Sequence, residues 1–509
     1  MMPPAIARIS PGAPFRSESK VVQLHRVPEI RIQPVADLPV REDGDYVLYW
    51  MIAQRRRRAN FSLQRAIEWC AQLQKPLVVL EPLRCDYRWA SDRIHRFVVD
   101  GMRDNAADFA DAGVAYHPYV EPQKGKGKGL LAAMEKRACV VITDEYPCFF
   151  LPRMVRRAGE CATVRMEQVD SNGLLPLRVA NKVFGRAVDF RRFLQRTLPQ
   201  RLSEFPIGDP LRTGVGKGGG VPDEVQKRWP RASSALLQGG AKALAALPID
   251  HDVEPVESMP GGYVAGGERL RRFLADRLEC YGDRSHPAAN VASGLSPYLH
   301  FGHVSVHQVF AGVAKREGWT IAKLREKVDG ARGWYGMSEA ADGFLDELVT
   351  WRELGFNMDW QRKDYDDFES LPEWAKATLS KHATDAREHI YGLDQFATAN
   401  THDELWNAAQ RQLLQVGTVQ NYLRMLWGKK VLEWSRTPEE AWAILVELNN
   451  RYALDGRDPN SYSGIGWVFG RYDRPWAPER SVYGMIRYMS STNTVKKLDM
   501  GDYEQRFAR

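Results

Sequence analysis

The sequence lacks the features of a membrane-spanning, exported or metal-dependent protein. It contains no run of about 18 apolar residues, so no membrane-spanning helix is expected. The first 20 residues have no apolar stretch typical of a secretory signal, and their richness in Pro, Ser and Arg favours a disordered leader on a cytoplasmic protein. The six cysteines show neither C-x-x-C nor zinc-ligand spacing, which favours reduced thiols and no metal site.

Two nucleotide-binding patterns are also missing. No G-x-G-x-x-G follows the first predicted strand, and the Gly-Lys stretches at 125–129 and 214–220 lack the Ser or Thr that a Walker loop places after its Lys. These absences exclude a dinucleotide-fingerprint domain and a P-loop NTPase. The net charge of +7 suits a polyanionic partner, although it is modest for 509 residues.

Length and periodicity predict two domains of different class after a leader at residues 1–40. Residues 41–205 alternate strand and helix patterns, which predicts an α/β domain with a parallel sheet. Residues 206–265 are dense in Gly and Pro and are interpreted as an interdomain linker. Residues 266–509 have helical periodicity and almost no strand signals, so an all-α domain is expected. The predicted strands are 46–51, 76–80, 114–120 and 139–145, and the first helix is Phe61–Leu73.

Three tryptophans stand out in the segment from Thr401 to Ser435. Trp427 and Trp434 are seven residues apart, so they share one face of a helix, and Trp406 precedes them. Thr401 and Glu404 have capping-box spacing, which predicts the start of a helix. Large indoles can fill a core, pass electrons or stack on other rings, and their spacing does not decide between these roles.

Several short segments have an amino-acid sequence that is specific to one protein family. THDELWNAAQ at 401–410, LRMLWGKKVLEW at 423–434 and LDGRDPNSYSGIGW at 454–467 closely resemble the C-terminal half of class II cyclobutane pyrimidine dimer photolyases, of the photolyase/cryptochrome superfamily. Further matching pieces follow in the family's order: YVLYWM at 46–51, SGLSPYLHFG at 293–302, FLDELVTWRELGFN at 344–357 and IRYMS at 486–490. The resemblance runs from about residue 41 onward and is densest from 294 to 490.

The resemblance implies a fold, a reaction and partners. The expected fold is a Rossmann-like α/β domain followed by an all-α domain that binds FAD and DNA. The expected reaction is light-driven repair of pyrimidine dimers in UV-damaged DNA by a monomer, through electron transfer from excited, fully reduced FAD to a flipped-out dimer. Whether a second, deazaflavin-type antenna chromophore is bound stays open. The family has an acidic or polar residue after YWM-Q, whereas this chain has IAQRRRRAN there.

The resemblance also assigns residues to the flavin. Small residues at a helix start suit a pyrophosphate, because they offer backbone amides and hydroxyls. Arg424 and Asp455 match an ion pair near the isoalloxazine ring, and Asn449 matches an Asn that faces flavin N5. The pyrophosphate residues are Ser293, Gly294, Leu295 and Ser296, and the implied electron-transfer residues are Trp406, Trp427 and Trp434.

Other matching residues are assigned to the DNA. Glu347 and Trp351, four apart on one helix face, match the carboxylate and indole that meet the dimer. Met425 and Trp467 are also expected to contact the dimer. Arg284 is expected to enter the DNA near the dimer, and the residues expected to contact phosphates are Lys429, Lys430 and Arg457. Arg284 opens an R-S-H-P sequence where the family has R-N-D-P. Two alternatives stay open: a cryptochrome-like light sensor, and a damage-binding flavoprotein without repair, while retention of Glu347 and Trp351 favours repair.

Overall fold

Residues 32–245, the sheet half, are built around one six-stranded sheet, and residues 263–506 are the helical half. The structure, a computed structural model, describes residues 26–508, so most of the predicted leader lies outside the described residues. The strands have the spatial order β1-β6-β5-β2-β3-β4, in which β1 is antiparallel to β6 and the other pairs are parallel. Their bounds are β1 Ile32–Ala36, β2 Tyr46–Trp50, β3 Leu77–Leu83, β4 Ala115–Val120, β5 Ala138–Glu145 and β6 Met166–Asp170.

Helices cover the sheet and form the rest of the chain. Those of the sheet half and the connection are α1 Phe61–Leu73, α2 Asp92–Asp111, α3 Leu130–Glu135, α4 Leu151–Glu160, α5 Ala187–Thr197, α6 Asp223–Arg228, α7 Ser234–Leu237 and α8 Ala241–Ala245. Those that follow are α9 Tyr263–Arg272, α10 Ser296–His300, α11 Val306–Arg316, α12 Glu339–Leu345, α13 Arg352–Gln361, α14 Glu373–Lys381, α15 Leu393–Ala397, α16 Glu404–Val416, α17 Asn421–Trp434, α18 Pro438–Tyr452, α19 Pro459–Val468, α20 Ser491–Lys497 and α21 Gly501–Arg506. Two π-helical turns occur in this half, at Phe273–Arg277 and Asp346–Trp351.

The predicted fold class is confirmed, with differences at its edges. All four predicted strands and helix α1 are present. Strands β1 and β6 were not predicted, and β1 lies within the segment assigned to the leader. Residues 206–265 form several short helices, α6 to α8, although the composition indicated a linker. Across the described chain, no helix is both long and apolar enough to cross a bilayer.

A buried carboxylate closes the turn after the central strand β2. Asp144, near the end of β5, accepts hydrogen bonds through Oδ2 from the backbone N–H groups of Ile52, Ala53 and Gln54 at 2.8–2.9 Å. Its Oδ1 accepts from the Tyr49 hydroxyl at 2.7 Å. Because three amides that would otherwise be unpaired share one acceptor, the chain can leave the sheet abruptly without burying unsatisfied groups.

The arginine run after this turn is structural. Arg55 forms a 2.9 Å ion pair with Glu81, and Arg57 forms one of 2.7 Å with Asp209. Arg56 is fully buried and donates to the carbonyl of Gly302 at 2.8 Å, in the helical half. Three arginines therefore hold the edge of the sheet to neighbouring segments, and only Arg58 is exposed.

Helix α19 lies between α13 and α17 at very short range. A Cβ on Gly355 of α13 would come within 2.9 Å of Ser463 Oγ on α19. A Cβ on Gly428 of α17 would come within 2.5 Å of Val468 Cγ2 at the end of α19. Glycine is required at both positions because any larger side chain would push the helices apart.

The start of α13 joins the helical half to the sheet half. Arg352 donates to the carbonyl of Asn172 at 2.8 Å. The buried carboxylate of Glu353 accepts from the N–H groups of Leu174 and Leu175 at 2.7 and 3.0 Å. Burial raises the pKa of Glu353 to about 7, against the lowering effect of these amides and of Arg352. These bonds fix the π-helical turn, which ends one residue before Arg352, relative to the sheet.

We predict that Glu353→Ala lowers the free energy of unfolding by about 3 kcal/mol, because two buried N–H groups lose their acceptor. Urea denaturation would measure the change. Glu373→Ala is the matched control, since the Glu373 side chain is 90% exposed and a surface change of this kind costs about 0.5 kcal/mol or less. Equal effects of the two substitutions would contradict the role given to Glu353.

Candidate active site

Three of the residues assigned to the flavin form one hydrogen-bonded cluster. Arg424 on α17 donates through Nη2 to both carboxylate oxygens of Asp455, at 3.2 and 3.1 Å. Ser296, the first residue of α10, donates through Oγ to Asp455 Oδ2 at 2.7 Å. Asp455 is buried whereas Arg424 is partly exposed, so the guanidinium is fixed from behind and keeps free N–H groups for another partner.

The turn before α10 needs glycine and lies beside a second cation. Gly294 has φ +63°, and a Cβ on it would lie 2.5 Å from Arg269 Nη1. Ser293 accepts from the N–H of Leu295 at 3.3 Å, which keeps the turn tight. Small residues, a guanidinium and the start of a helix suit an anionic diphosphate, so the donor set fits FAD.

Asn449 lies buried on α18, in contact with a polar core network. Its Nδ2 donates to Asn450 Oδ1 at 3.2 Å, and the same oxygen accepts from the backbone N–H of Arg457 at 2.8 Å. Asn450 in turn donates to the Tyr462 hydroxyl at 3.2 Å. The network holds the Asn449 amide in one orientation.

The residues assigned to the dimer begin in the π-helical turn. Glu347 and Trp351 both belong to it, so they do not sit on an α-helix as the spacing argument assumed. Glu347 Oε1 accepts from Arg284 Nη2 at 3.3 Å, and the Arg284 guanidinium lies 4.9 Å from the centre of the Tyr281 ring. Burial raises the pKa of Glu347, while the charge of Arg284 opposes that rise.

Met425 and Trp467 lie on the packed helices α17 and α19, and both are half-buried. Lys429, one turn after Met425 on α17, places its Nζ 4.8 Å from the centre of the Trp467 ring, so α17 and α19 are in contact at this point. A Cβ on Gly464, one turn before Trp467, would meet no heavy atom within 4 Å. The surface of α19 is therefore uncovered at Gly464.

Burial of three of the four cations assigned to DNA corrects their assignment. Lys429 is 0% exposed, and its Nζ donates to the carbonyl of Val468 at the end of α19. Arg457 is 2% exposed and donates to the carbonyls of Asn450, Ala453 and Leu454. Lys430 is buried and paired with Glu433. These groups satisfy backbone carbonyls or a carboxylate and do not face solvent, whereas Arg284 stays partly exposed.

The three tryptophans form one buried stack. The rings of Trp406 and Trp427 lie parallel with centres 6.4 Å apart, and those of Trp406 and Trp434 meet edge to face at 6.2 Å. Trp406 is therefore the middle member, an order that the sequence does not give. Its Nε1 donates to the carbonyl of Trp427 at 3.0 Å, and Trp427 Nε1 donates to Gln410 Oε1 at 3.0 Å.

The helix that carries Trp406 does not begin with the predicted capping box. Asp403 is its N-cap and accepts from the N–H of Trp406 at 2.9 Å. The hydroxyl of Thr401 instead donates to Asn407 Oδ1 at 2.8 Å. Capping-box spacing was misleading here because a second good cap residue lies closer to the helix.

A cavity that the sequence did not indicate lies at the carboxyl ends of β2, β3 and β5. It encloses about 100 Å³ and is lined mainly by apolar and aromatic side chains. Tyr87, Phe149 and Phe150 form an aromatic group on one side, and His300, Phe301 and Arg457 come from the helical half. It lies where successive strands are added on opposite sides of β2, which is the usual ligand position in open α/β sheets. Within residues 26–508, no group of three or more His, Cys, Asp or Glu is arranged to hold a metal ion.

No family model matches the chain, but it is similar to named proteins over nearly its whole length. A deoxyribodipyrimidine photo-lyase of Methanothermobacter thermautotrophicus is 32% identical over 468 residues, which are 91% of this chain and 94% of that protein. Proteins of the same name from Potorous tridactylus and Arabidopsis thaliana are 31% and 32% identical, over 93% and 91% of this chain and 83% and 89% of their own length.

Two solved structures are similar in fold. A bacterial class III photolyase from Agrobacterium tumefaciens has a TM-score of 0.65 and 16% identity, and the match covers 91% of this chain and 86% of that one. A cryptochrome of Synechocystis sp. PCC6803 has a TM-score of 0.62 and 14% identity, with 91% and 88% covered. At these identities the likeness shows the fold alone.

We predict that Lys429→Met flattens the pH dependence of stability between pH 7 and 10.5. Burial lowers the pKa of Lys429 from 10.5 to about 7, so the unfolded chain binds one more proton in this range and stability rises with pH. Each such proton contributes about 1.4 kcal/mol per pH unit. Denaturation of wild type and variant at several pH values measures the difference, with Lys430→Met as the control; parallel curves for all three proteins would contradict the prediction.

Proposed function

The chain belongs to the deoxyribodipyrimidine photo-lyases, and on that premise we propose how its residues carry out light-driven repair of cyclobutane pyrimidine dimers in DNA. The observation that carries the assignment to residues is the pair of clusters in the helical half. One, Arg424–Asp455–Ser296, suits a flavin, and the other, Arg284–Glu347, pairs a partly exposed guanidinium with a carboxylate in the π-helical turn that also holds Trp351. Members of this family generally bind FAD.

The flavin would be held by the first cluster. Ser293, Gly294, Leu295 and Ser296 would receive the diphosphate, with Arg269 supplying positive charge. Arg424, fixed by Asp455, would lie at the ring and stabilise negative charge on it, and Asn449 would present its amide to N5. When bound, the fully reduced and excited FAD supplies the electron that starts repair.

The dimer would be held by the second cluster. Trp351, Trp467 and Met425 would contact its apolar faces, while Glu347 would accept a hydrogen bond from an imide N–H. The dimer would accept one electron, the two bonds that join the pyrimidines would break as the C5=C6 double bond of each base re-forms, and the electron would return to the flavin, so there is no net oxidation. The protein excludes water and orients the dimer, and no general base is needed.

The stacked tryptophans would pass electrons inward to restore the reduced flavin. Ring centres 6.2 and 6.4 Å apart place the edges of neighbouring indoles near contact, and Trp406 contacts both of the others. Any electron that uses the whole stack therefore crosses Trp406.

The cavity at the sheet edge would receive part of the ring system of a second, planar chromophore of the deazaflavin type, since about 100 Å³ is too small to enclose all of it. Its aromatic group and apolar lining suit a fused ring, and Arg55 and Arg84 are available at its border. The arginine run that replaces the family's pattern does not fill this cavity, because Arg55 pairs with Glu81 at its border and Arg56 donates to the Gly302 carbonyl.

The protein would act as a cytoplasmic monomer. All residues proposed for the flavin and the dimer come from one chain, so a second copy is not needed to complete the site. The six cysteines are all unpaired, which is typical of a reducing compartment.

The experiment that tests the function is repair of a thymine-dimer oligonucleotide by the purified protein, in light and in the dark, under reducing conditions. Dimer loss only in light, with a flavin spectrum on the same sample, supports the proposal, and a further absorption band would reveal the second chromophore. Bound flavin without repair would instead favour a light sensor or a damage-binding protein.

We predict that Glu347→Ala lowers repair yield at least ten-fold, because a charge-assisted hydrogen bond contributes roughly 1.5–3 kcal/mol. Flavin content should not change. Glu347→Gln, which keeps a carbonyl acceptor, should lose less. Repair yield and flavin absorbance are measured on the same preparations, and loss of flavin in Glu347→Ala would place this residue outside the dimer site.

We further predict that Trp406→Phe blocks light-driven reduction of oxidised flavin but spares repair by chemically reduced protein. Phenylalanine keeps most of the packing and is far harder to oxidise than indole. Trp442→Phe is the control, since Trp442 is buried on α18 against Phe368 and Phe469, outside the stack. Failure of the chemically reduced Trp406→Phe protein to repair DNA would make the role of Trp406 structural.

A further inference from the structure

A chain of hydrogen bonds links the C-terminal helix to the carboxylate proposed at the dimer. Tyr503 on α21 donates to Gln412 Oε1 at 2.7 Å, and the same oxygen accepts from the backbone N–H of Gln420 at 3.3 Å. The Gln420 side chain then donates through Nε2 to the carbonyl of Arg284. Arg284 completes the chain with its 3.3 Å bond to Glu347.

Gln420 uses both ends of its amide. Its Oε1 accepts from the N–H of Leu423 at 2.9 Å, which caps the N-terminus of α17. Its Nε2 holds the backbone of the Arg284 loop. One side chain therefore links the helix that carries Arg424 and Met425 to the loop that carries Arg284, and only an amide provides a donor and an acceptor in this arrangement.

The Arg284 loop, residues 281–286, is anchored by the Tyr281 ring, which packs against Phe273 and Phe344, and by the Gln420 bond to the Arg284 carbonyl. Residues 282, 283, 285 and 286 are exposed, and the other backbone hydrogen bonds of this loop, within the described chain, are local, such as His286 N–H to the Asp283 carbonyl at 2.8 Å. The Tyr281 ring supports the Arg284 side chain but not its carbonyl. Without the Gln420 donor, the position of Arg284 relative to Glu347 would no longer be fixed from α17.

We propose that Gln420 is a positioning residue for dimer recognition, which sets Arg284 against Glu347 before DNA binds. The inference rests on the proposed function, because it assumes that Glu347 and Arg284 meet the dimer. It adds a residue that touches neither the dimer nor the flavin.

The decisive variant is Gln420→Glu. A carboxylate still caps α17 through an oxygen, but it has no N–H for the Arg284 carbonyl and repels it. The matched control is Gln361→Glu, because Gln361 Nε2 also donates to a backbone carbonyl, that of Ala180 at 2.7 Å, at the far end of α13. Binding of dimer-containing and undamaged oligonucleotides is measured in the dark, together with flavin content and the rate of flavin photoreduction.

We expect Gln420→Glu to lower the preference for damaged over undamaged DNA by roughly three- to ten-fold, the effect of one hydrogen bond, with flavin content and photoreduction unchanged. Tyr503→Phe should lower it less, in the same direction, and decides the matter if Gln420→Glu does not fold. An unchanged preference, an equal fall in Gln361→Glu, or loss of flavin in Gln420→Glu would overturn the inference. Absence of any preference in the wild-type protein would overturn the proposed function instead.

Discussion

The docking of α13 onto the sheet half is the constraint on which the rest of the site depends. Arg352 and Glu353 bond to backbone groups at 172–175, and the π-helical turn with Glu347 and Trp351 ends at the preceding residue. Gly355 allows α13 to contact α19 closely, and Gly428 allows α17 to contact α19 closely. The positions of α19 and α17, which carry Trp467 and Met425, therefore follow from that of α13, and the sheet half serves as a base for the helical half.

Charge is distributed differently from what the sequence suggests. The arginine run at 55–57, Lys429 and Arg457 are all buried, where they pair with carboxylates or donate to backbone carbonyls. The groups left partly free, Arg284 and Arg424, are each held from behind by one carboxylate. Buried basic side chains hold the frame together, while the guanidinium groups of Arg284 and Arg424 stay partly exposed.

The parts of the fold with strong local signals were predictable. Strands β2 to β5 each contain a short apolar run, and α1 has a clear helical periodicity. Strands β1 and β6 carry polar residues such as Gln33 and Gln168, and they become strands only through pairing distant in sequence. Spacing could group Glu347 with Trp351, but burial of Lys429 and Arg457 arises from packing between helices, which a count of charges cannot reveal. The cavity at the sheet edge likewise required the strand order.

The burial of Trp406 has a consequence for the chemistry of its ring. One-electron oxidation makes the indole N–H far more acidic, and the ring stays a cation only while no base can remove its Nε1 proton. The Trp406 N–H points at the carbonyl of Trp427, which is a very weak base, and the ring is fully shielded from water. A positive charge placed there would keep its proton and be free to move to either neighbour, so Trp406 would conduct the charge and not trap it.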